Sequence, residues 1–445
     1  MNLHRLLAER ETPLKVGLIG AGKFATMFLA QARRTKGLQV AGIADLNLNR
    51  AGEALRRAGF PPEATQPNIE RAMKTGGVAL FDDAFSLIEA EGIEIVIDAT
   101  GSPTAGVAHA LATIEAGRHI IMVNVEADAL CGPLLAKKAQ AAGVVYSLAY
   151  GDQPALIAEQ VDWARASGFD VVAAGKGTKY LPGYHHVTPD DVWRHYGLTP
   201  EIAAKGGMNP QMFNSFLDGT KSAIEMTAVA NATGLTPAPD GLAFPPCGTH
   251  ELAQLLKPKA DGGLLHHKGQ VEVISSEARD GSHLPDDLRW GVYVVFEAPS
   301  DYVKACFKEY GLSTDDTGRY ASLYKPYHLI GLELGISVAS VGLRHEPTGA
   351  PTGFRADACA TAKRDLKAGE MLDGEGGYTV YGRLMPAEAS LRYGALPIGL
   401  AHGVKLTRPV ARDAVVRFED VAIDGASLAV KMRREMEADH KTRAT

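Results

Sequence analysis

The sequence predicts an α/β protein whose N-terminal part is a doubly wound parallel sheet. Apolar strand-like runs alternate with helix-like segments over residues 13–150, and a glycine-rich turn follows the first run. Such alternation favours parallel strands with helices on both faces. Because 445 residues exceed what one hydrophobic core usually supports, we predict further domains. We place the doubly wound domain at 1–150, an α+β catalytic and dimerisation domain at 151–350, and a small β-rich domain at 351–445.

The composition is that of an ordinary globular chain, with 46% hydrophobic and 22% charged residues, which argues against disordered, collagen-like and coiled-coil classes. The net charge is −6, whereas nucleic-acid-binding proteins usually carry an excess of basic residues. The four cysteines lie far apart without a CxxC pair, which fits a reducing compartment. No apolar stretch has the length of a transmembrane helix or a signal-peptide core. We therefore expect a cytoplasmic protein without a nucleic-acid or membrane partner.

The first βαβ unit carries the most specific motif. An apolar strand is followed by the segment GAGKFA, a predicted helix and a second strand that ends at Asp45. The pattern Gly20-x-Gly22-x-x-Ala25 is the Rossmann dinucleotide fingerprint with alanine in its last position. Such a glycine pattern alone is weak evidence. Here it follows a strand, opens a helix and meets an acid after the next strand, which is the context that the motif requires.

Each position of the fingerprint has a physical role. Gly20 permits the tight turn, Gly22 has no side chain in the way of a pyrophosphate, and Ala25 lets the helix pack closely on the strand. The free N–H groups at the helix N-terminus favour an anion. We therefore predict that Gly20, Gly22, Lys23, Phe24 and Ala25 bind the pyrophosphate of a dinucleotide cofactor.

Asp45 and Arg50 bear on which dinucleotide binds. An acid at the end of the second strand accepts hydrogen bonds from the ribose hydroxyls, which favours NAD. Arg50 lies about one helical turn further on and would instead contact the 2′-phosphate of NADP. Asp45 has an alternative role as a helix N-cap, for which aspartate is strongly preferred. The residues alone leave the choice between NAD and NADP open.

Polar residues follow three later strands of the predicted sheet. Ligands of open α/β sheets bind outside the carboxyl ends of the strands, so these residues are candidates for the cofactor or the substrate. The alternative for Asn124 and Asp152 is that they only cap the helices that follow. The candidates at the strand ends are Thr100, Gly101, Ser102, Asn124, Glu126 and Asp152.

The second domain offers a polar helix and a cationic loop. A long helix is predicted over residues 214–232, with Asp218, Lys221 and Glu225 on one face at spacings of three and seven. The rest of that helix is too apolar for an exposed surface, so the charged stripe lies on a largely buried element. Lys176 and Lys179 are predicted in a loop over residues 175–182. The alternative for all five residues is a solvated set of surface charges.

Two further groups of polar residues complete the candidates. Lys325 and His328 belong to the segment YKPYH, which could close the site from another part of the chain. The adjacent pairs His185-His186 and His266-His267 lack the spacing of helical metal ligands. We expect both pairs in surface loops.

These motifs resemble known oxidoreductases. Residues 13–235 resemble the homoserine-dehydrogenase-like group, which pairs a Rossmann domain with a catalytic domain, and residues 358–384 resemble a SAF module, a small β-rich fold. The combination most resembles the 1-deoxy-D-xylulose 5-phosphate reductoisomerase-like enzymes of the methylerythritol phosphate route to isoprenoids. The phrases GGMNPQMFNSFLDGTKSAIEM and LYKPYHLIGLELGISVAS are distinctive of this SAF-bearing group.

The resemblance implies an NADPH-dependent conversion of 1-deoxy-D-xylulose 5-phosphate to 2-C-methyl-D-erythritol 4-phosphate by a homodimer, with NAD as the other possible cofactor. Asp218 and Lys221 resemble the Asp and Lys of the homoserine dehydrogenase catalytic helix. Val125 stands where the related enzymes have a lysine. Asp152 matches the Asp of the reductoisomerase motif for a divalent metal such as Mg²⁺ or Mn²⁺, but Pro154 replaces its Glu, which leaves a metal site in question.

Two other functions stay open from the sequence. One is a dehydrogenase of another hydroxy or keto substrate such as homoserine, against which the absent lysine at Val125 stands. The other is a non-catalytic nucleotide-sensing or carbohydrate-binding protein. The cluster of Asp218, Lys221 and Glu225 argues for chemistry and therefore against the non-catalytic alternative.

Overall fold

A computed structural model describes residues 2–444 of the chain. The N-terminal strands are β1 (Leu14–Ile19), β2 (Leu38–Ala44), β3 (Thr65–Gln66), β4 (Val78–Phe81), β5 (Ile95–Asp98), β6 (His119–Met122) and β7 (Tyr146–Leu148). The later strands are β8 (Asp170–Thr178), β9 (Gln270–Ser275), β10 (Val292–Glu297), β11 (Tyr320–Lys325), β12 (Ala356–Ala362), β13 (Met371–Asp373), β14 (Val380–Pro386), β15 (His402–Leu406) and β16 (Val421–Ala422).

The α-helices are interspersed among these strands. The first eight are α1 (Leu3–Ala8), α2 (Lys23–Ala32), α3 (Leu48–Arg57), α4 (Ile69–Thr75), α5 (Ala84–Glu89), α6 (Pro103–Glu115), α7 (Val125–Ala141) and α8 (Gln153–Ala166). The others are α9 (Val192–Tyr196), α10 (Pro200–Lys205), α11 (Pro210–Leu217), α12 (Thr220–Thr233), α13 (Leu252–Leu255), α14 (Asp301–Glu309), α15 (Gly335–Arg344), α16 (Ala387–Tyr393) and α17 (Leu428–Ala444). Within residues 2–444, each helix is too short or too polar to span a lipid bilayer.

The N-terminal sheet confirms the predicted doubly wound fold. Its strand order is β3-β4-β2-β1-β5-β6-β7, and each neighbouring pair runs parallel. Strand β1 is central, because Leu18 is in register with Ile43 on one side and with Ile97 on the other. The order reverses between β1 and β5. In a doubly wound sheet this reversal is the place where a ligand binds.

The later strands form one mixed sheet and two small antiparallel ones. The mixed sheet has the order β11-β10-β8-β9, in which β8 and β9 run parallel and β10 is antiparallel to its neighbours. Strand β12 pairs with β14, and β15 pairs with β13 and β16. A β-rich C-terminal region was predicted, and these small sheets agree with it.

The chain forms two compact units. One unit contains residues up to 156 together with 328–352, and the other contains residues 157–327 and those from 353 onward. Residues 328–352 return to the first unit because α15 packs on its sheet; a Cβ atom on Gly342 would lie 2.6 Å from the Leu14 side chain. The sequence placed this segment in the 151–350 domain, and it placed residues from 351 onward in a domain of their own. The division into three domains stays a prediction.

The predicted helix over 214–232 is wrong in one respect, because the structure divides it into α11 and α12. Asp218 and Gly219 join the two helices, and Gly219 adopts a φ of +87°. This left-handed conformation interrupts a right-handed helix and is readily adopted by glycine. Asp218 therefore does not share a helical face with Lys221. The expectation of a buried helix is confirmed, because Lys221 and Ala232 are the α12 residues that are partly exposed, and the others are buried.

Two other predicted boundaries differ from the structure. Strand β8 continues to Thr178, so Lys176 lies in a central strand, in register with Val273 and Val292, and not in a loop. The sequence predicts a helix over residues 132–142, but helix α7 already begins at Val125, and Pro133 lies inside it. Both elements are longer than predicted, because glycine and proline usually mark a break in secondary structure and tertiary packing overrides that tendency here.

Asp128 on α7 is a fully buried carboxyl that the sequence did not single out. The Tyr146 hydroxyl donates a 2.8 Å hydrogen bond to Asp128 Oδ1, whereas Oδ2 has no hydrogen-bond partner among the described residues. Burial raises the pKa of Asp128 to about 7, and the Tyr146 hydrogen bond opposes this rise. The raised pKa makes the free energy of unfolding depend on pH, because the same carboxyl in the unfolded chain has a pKa of about 4.

We expect Asp128→Asn to stabilise the protein above pH 7 and to have little effect near pH 4. The native carboxyl holds its proton to higher pH than the unfolded one, so the cost of ionising it appears as the pH rises from about 4 to about 7 and then stays constant. The stability difference should grow by up to about 1.4 kcal/mol per pH unit within that window. Urea unfolding of both proteins from pH 4 to 8 measures it. A difference that does not change with pH would contradict the raised pKa.

Candidate functional site

The glycine turn has the geometry that a bound dinucleotide requires. Gly20 has a φ of +96°, and a Cβ atom there would lie 2.8 Å from the Ala99 carbonyl oxygen. Gly22 caps α2 with an ordinary φ of −76°, and a Cβ atom there would meet nothing within 4 Å. The missing side chain of Gly22 thus leaves open space at the N-terminus of α2, where Lys23, Phe24 and the buried Ala25 follow. These residues fit a pyrophosphate.

Asp45 is bonded to the glycine turn itself. Its Oδ2 atom accepts a 2.8 Å hydrogen bond from the Ala21 amide, and its Oδ1 atom accepts one of the same length from the Asn47 amide. Asn47 is the residue that caps α3. The alternative role of Asp45 as the helix N-cap is therefore wrong. Each carboxylate oxygen keeps a second lone pair, so Asp45 can still accept a hydrogen bond from a ribose hydroxyl.

Arg50 lies beside Asp45 with most of its side chain exposed. Its Nη1 atom is 3.9 Å from Asp45 Oδ2, and 61% of the side chain is accessible to solvent. An exposed guanidinium next to the acid at the end of β2 is suited to a 2′-phosphate.

We expect Arg50→Ala to weaken NADPH binding by roughly 10- to 100-fold and to leave NADH binding unchanged, because a charge-assisted hydrogen bond contributes about 1.5–3 kcal/mol. Titration of both cofactors by calorimetry measures the effect. Arg56→Ala, which removes another exposed arginine of α3, is the matched control. An equal loss for both cofactors would contradict a 2′-phosphate contact.

The turn after β5 is held by Asn124. The Asn124 amide donates to Thr100 Oγ1 at 3.0 Å and to the Ser102 carbonyl at 2.8 Å, while its Oδ1 atom accepts a hydrogen bond from the Ala127 amide at 3.0 Å. Asn124 therefore caps α7, and it also shapes the turn that contains Gly101. A Cβ atom on Gly101 would meet nothing within 4 Å, so the turn leaves open space there, as at Gly22.

Glu126, the remaining candidate at this strand end, lies in the first turn of α7 and is half-buried.

Asp98 and His109 support the same turn and were missed in the sequence. Asp98 is fully buried at the end of β5. Its Oδ1 atom accepts hydrogen bonds from the Thr100 amide at 2.9 Å and the Thr100 hydroxyl at 2.7 Å. Its Oδ2 atom lies 2.7 Å from His109 Nδ1. The available signal was the acid inside the apolar run IEIVIDA, because a buried carboxyl needs partners.

The predicted metal ligand Asp152 has no metal-binding surroundings. It is buried, and its Oδ1 atom accepts a 2.9 Å hydrogen bond from the Gln153 amide. Within residues 2–444 no group of three or more His, Cys, Asp or Glu side chains is arranged to hold a metal ion. The residues present do not fit a metal site of the reductoisomerase type.

In the second unit, Lys176 and Glu225 form a buried ion pair. The Lys176 amine on β8 contacts Glu225 Oε2 on α12, and the two side chains are 7% and 5% exposed. Lys221 precedes Glu225 by one helical turn, so the two lie on one face of α12. Three of the predicted catalytic residues therefore lie on two adjoining elements. A solvated set of surface charges is wrong for Lys176 and Glu225, because both are buried.

Lys179 belongs to a second ion pair. Its amine is 2.6 Å from Glu277 Oε1, and the Tyr184 hydroxyl donates to Glu277 Oε2 at 2.9 Å. Burial and the Glu277 carboxylate raise the pKa of the Tyr184 hydroxyl. The sequence did not indicate Glu277 as the partner of Lys179.

His185 is partly buried and packs against aromatic rings, contrary to the expected surface loop. Its ring stacks on Tyr381 at a centroid distance of 4.5 Å. Its Nδ1 atom lies 2.7 Å from the Asp218 carbonyl oxygen and its Nε2 atom 2.9 Å from the Tyr180 hydroxyl. Because a carbonyl only accepts hydrogen bonds, Nδ1 carries a proton. Burial lowers the pKa of His185.

Asp218 pairs with a lysine that the sequence did not connect to it. The Lys363 amine lies 2.8 Å from Asp218 Oδ2, and the two side chains are 2% and 0% exposed. The two groups form an ion pair, but the angles at the contact are not those of a hydrogen bond. The prediction that Asp218 neighbours Lys221 on one helical face is therefore wrong.

Lys325 and His328 fall in different units. Lys325 ends β11 in the second unit, with its amine 5.8 Å from the centroid of the Tyr327 ring. His328 begins the segment of the first unit that leads to α15. Their expected joint role in closing a site stays a prediction.

Two family models match the chain. Residues 16–148 match the NAD-binding domain of homoserine dehydrogenase, and residues 151–334 match the catalytic domain described as oxidoreductase DRL. No curated protein matches the chain.

Similar solved structures are distant. An NAD-binding oxidoreductase from Klebsiella pneumoniae is 18% identical over 39% of this chain and 44% of that chain, with a TM-score of 0.29. A biliverdin reductase from Synechocystis, solved with biliverdin and NADP⁺, is 18% identical over 38% and 48%, with a TM-score of 0.27. An oxidoreductase from Agrobacterium radiobacter, solved with NAD⁺, L-tartaric acid and magnesium, is 18% identical over 38% and 45%, with a TM-score of 0.28. The present chain thus spans less than half of these solved proteins.

The two family matches coincide with the two sets of residues described above. The first match contains the glycine turn, Asp45 and the Asn124 turn, and the second contains the Lys176–Glu225 and Lys179–Glu277 ion pairs. Residues 16–148 thus resemble an NAD-binding domain and residues 151–334 resemble an oxidoreductase catalytic domain.

Proposed function

We propose that the protein is an NADPH-dependent reductoisomerase that converts 1-deoxy-D-xylulose 5-phosphate to 2-C-methyl-D-erythritol 4-phosphate. The observation that carries the proposal is the group of lysines on and beside β8 and α12, within the matched catalytic domain. Lys176, Lys179 and Lys221 supply cations that suit a phosphorylated sugar. Each ammonium carries a positive charge and N–H donors, which are the groups that bind phosphate oxygens.

The cofactor would be held by the first unit. The backbone at Gly20–Ala25 would bind the pyrophosphate, Asp45 the ribose and Arg50 the 2′-phosphate. When bound, the nicotinamide supplies the hydride. The turn at Thr100–Ser102, held by Asn124 and Asp98, would shape the space beside it.

Lys221 and Glu225 would supply the charge stabilisation and proton transfer of the reaction. Lys221 would hydrogen-bond the substrate oxygen on which negative charge develops. Glu225 would move a proton to or from a substrate hydroxyl, and its ion pair with Lys176 keeps its carboxylate in one place on the helix. Asp218 directly precedes this helix and has Lys363 as its partner.

A second candidate is a dehydrogenase of another hydroxy or keto substrate, including homoserine. The match of residues 16–148 to the homoserine dehydrogenase domain favours it. Val125, in place of the lysine that homoserine dehydrogenases have after the asparagine, argues against homoserine itself.

One assay separates the candidates. Purified protein is mixed with NADPH and 1-deoxy-D-xylulose 5-phosphate, nicotinamide absorbance is followed, and the product is identified by mass spectrometry and NMR. Parallel reactions contain Mg²⁺, Mn²⁺ or EDTA, and others contain aspartate semialdehyde. Formation of methylerythritol phosphate supports the proposal. Turnover of aspartate semialdehyde alone supports the second candidate, and NADPH binding without any turnover supports a nucleotide-sensing or carbohydrate-binding protein. The predicted homodimer is checked by light scattering of the same sample.

A further inference from the structure

Lys363 of the C-terminal β-rich region has a buried amine that joins three parts of the second unit. It donates hydrogen bonds to the Val187 carbonyl at 2.8 Å and to the Gly377 carbonyl at 2.7 Å, and it forms the ion pair with Asp218. Two hydrogen bonds and one ion pair thus surround the Lys363 ammonium. A lysine this deeply buried needs such partners.

The turn at residues 373–377 packs against α11 by further hydrogen bonds. The Gln211 amide donates to the Asp373 and Glu375 carbonyls at 3.2 and 2.9 Å. The Asn214 amide donates to the Gly376 carbonyl at 2.9 Å. A Cβ atom on Gly376 would lie only 2.0 Å from the Gln211 carbonyl. The turn therefore fits closely against the helix that precedes the α11–α12 junction.

The junction also fixes the first residues of α12. Asp218 Oδ1 accepts a 2.9 Å hydrogen bond from the Thr220 amide, and the Thr220 hydroxyl accepts one of 2.8 Å from the Gly382 amide. Gly219, with its φ of +87°, allows the chain to change direction between the helices. Lys221 is the next residue after these contacts.

We propose that Lys363 is a positioning residue that orients Lys221 through Asp218 and the start of α12. The C-terminal β-rich region thereby completes the catalytic domain, although the family match to that domain ends at residue 334. Without the Lys363 amine, Asp218 becomes a buried charge without compensation, and the junction shifts to reach other donors or water. The effect on turnover rests on the proposed role of Lys221, whereas the effect on the junction does not.

The test uses Lys363→Met, Asp218→Asn and the double variant in the full-length protein. Lys363→Met should lower kcat by about 10²-fold, the cost of a small misplacement of a reacting group, with the Kd for NADPH unchanged. Hydrogen–deuterium exchange of the amides at 219–224 should increase. The double variant removes the unpaired charge, so its thermal stability should recover while kcat stays low and exchange stays fast. Lys367→Met, at an exposed lysine of the same region, should match the wild type.

Two outcomes would overturn the proposal. One is native exchange at 219–224 in a folded Lys363→Met variant. The other is a double variant in which stability, exchange and kcat all return together, since that pattern describes a pair that only supports folding. Faster exchange at the junction with an unchanged kcat would support the effect of Lys363 on α12 but contradict the catalytic role of Lys221. A failure of the proposed function can thus be distinguished from a failure of this inference.

Discussion

Replacing Gly22 with valine should abolish NADPH and NADH binding while the protein remains folded. A Cβ atom at Gly22 meets no protein atom within 4 Å, and its φ of −76° is ordinary for any residue. The branched side chain would thus occupy the space into which a pyrophosphate must come, without disturbing the fold. Calorimetric titration with each cofactor measures the loss, and circular dichroism with thermal unfolding checks the fold.

A matched control is available on the neighbouring helix. Gly52 on α3 also has open space where a Cβ atom would be placed, and it lies on the opposite side of the helix from Arg50. Gly52→Val should therefore bind both cofactors normally. If Gly22→Val also bound them with unchanged affinity, the dinucleotide would not lie over the glycine turn, and the proposed function would lose its basis.

Replacing Lys221 with methionine should lower kcat by about 10²-fold or more with little loss of thermal stability. Methionine keeps the length and the apolar bulk of the side chain but removes its charge. A donor to a developing oxyanion contributes roughly 3–4 kcal/mol to the transition state. Lys221 is partly exposed on a helix that is otherwise buried almost throughout, so the substitution leaves the core of α12 intact. Steady-state kinetics and thermal unfolding measure the two effects.

Lys205→Met at an exposed lysine of α10 is the control, with unchanged kinetics expected. Normal turnover of Lys221→Met with a large fall in stability would show that Lys221 is structural. In that case the reacting lysine would be Lys176 or Lys179, or the chemistry would lie at Lys325 and His328.

Features that depend on local conformation could be predicted from the amino-acid sequence. The glycine turn could be predicted because Gly20 and Gly22 each meet a steric requirement that acts within a few residues. The parallel sheet could be predicted because buried strands are continuous apolar runs. The same reasoning located the candidate residues at the strand ends, and it recognised from its apolar length that α12 is buried.

Features that depend on partners distant in the chain could not be predicted from the sequence and follow from the tertiary structure. Lys176 was assigned to a loop because its glycine neighbours suggested one, yet pairing with β9 and β10 draws it into a strand and beside Glu225. Helical spacing predicts that Asp218 lies beside Lys221. In the structure Gly219 separates the two helices, and Asp218 forms an ion pair with Lys363 instead. The charged segment at the C-terminus forms α17 because Arg433, fully buried, binds Asp357 and Glu437.

A buried charge needs a partner. The sequence can show that such a partner is needed, but it does not show which residue it is. Asp98, Glu225 and Asp218 could each be recognised as acids within apolar surroundings. Their partners, His109, Lys176 and Lys363, follow from strand pairing and helix packing. Local sterics and periodicity therefore determined the NAD-binding fold and its glycine turn. The arrangement of the lysines around α12 depends on long-range contacts, because ion pairing depends on distance in space and carries no periodic signal along the chain.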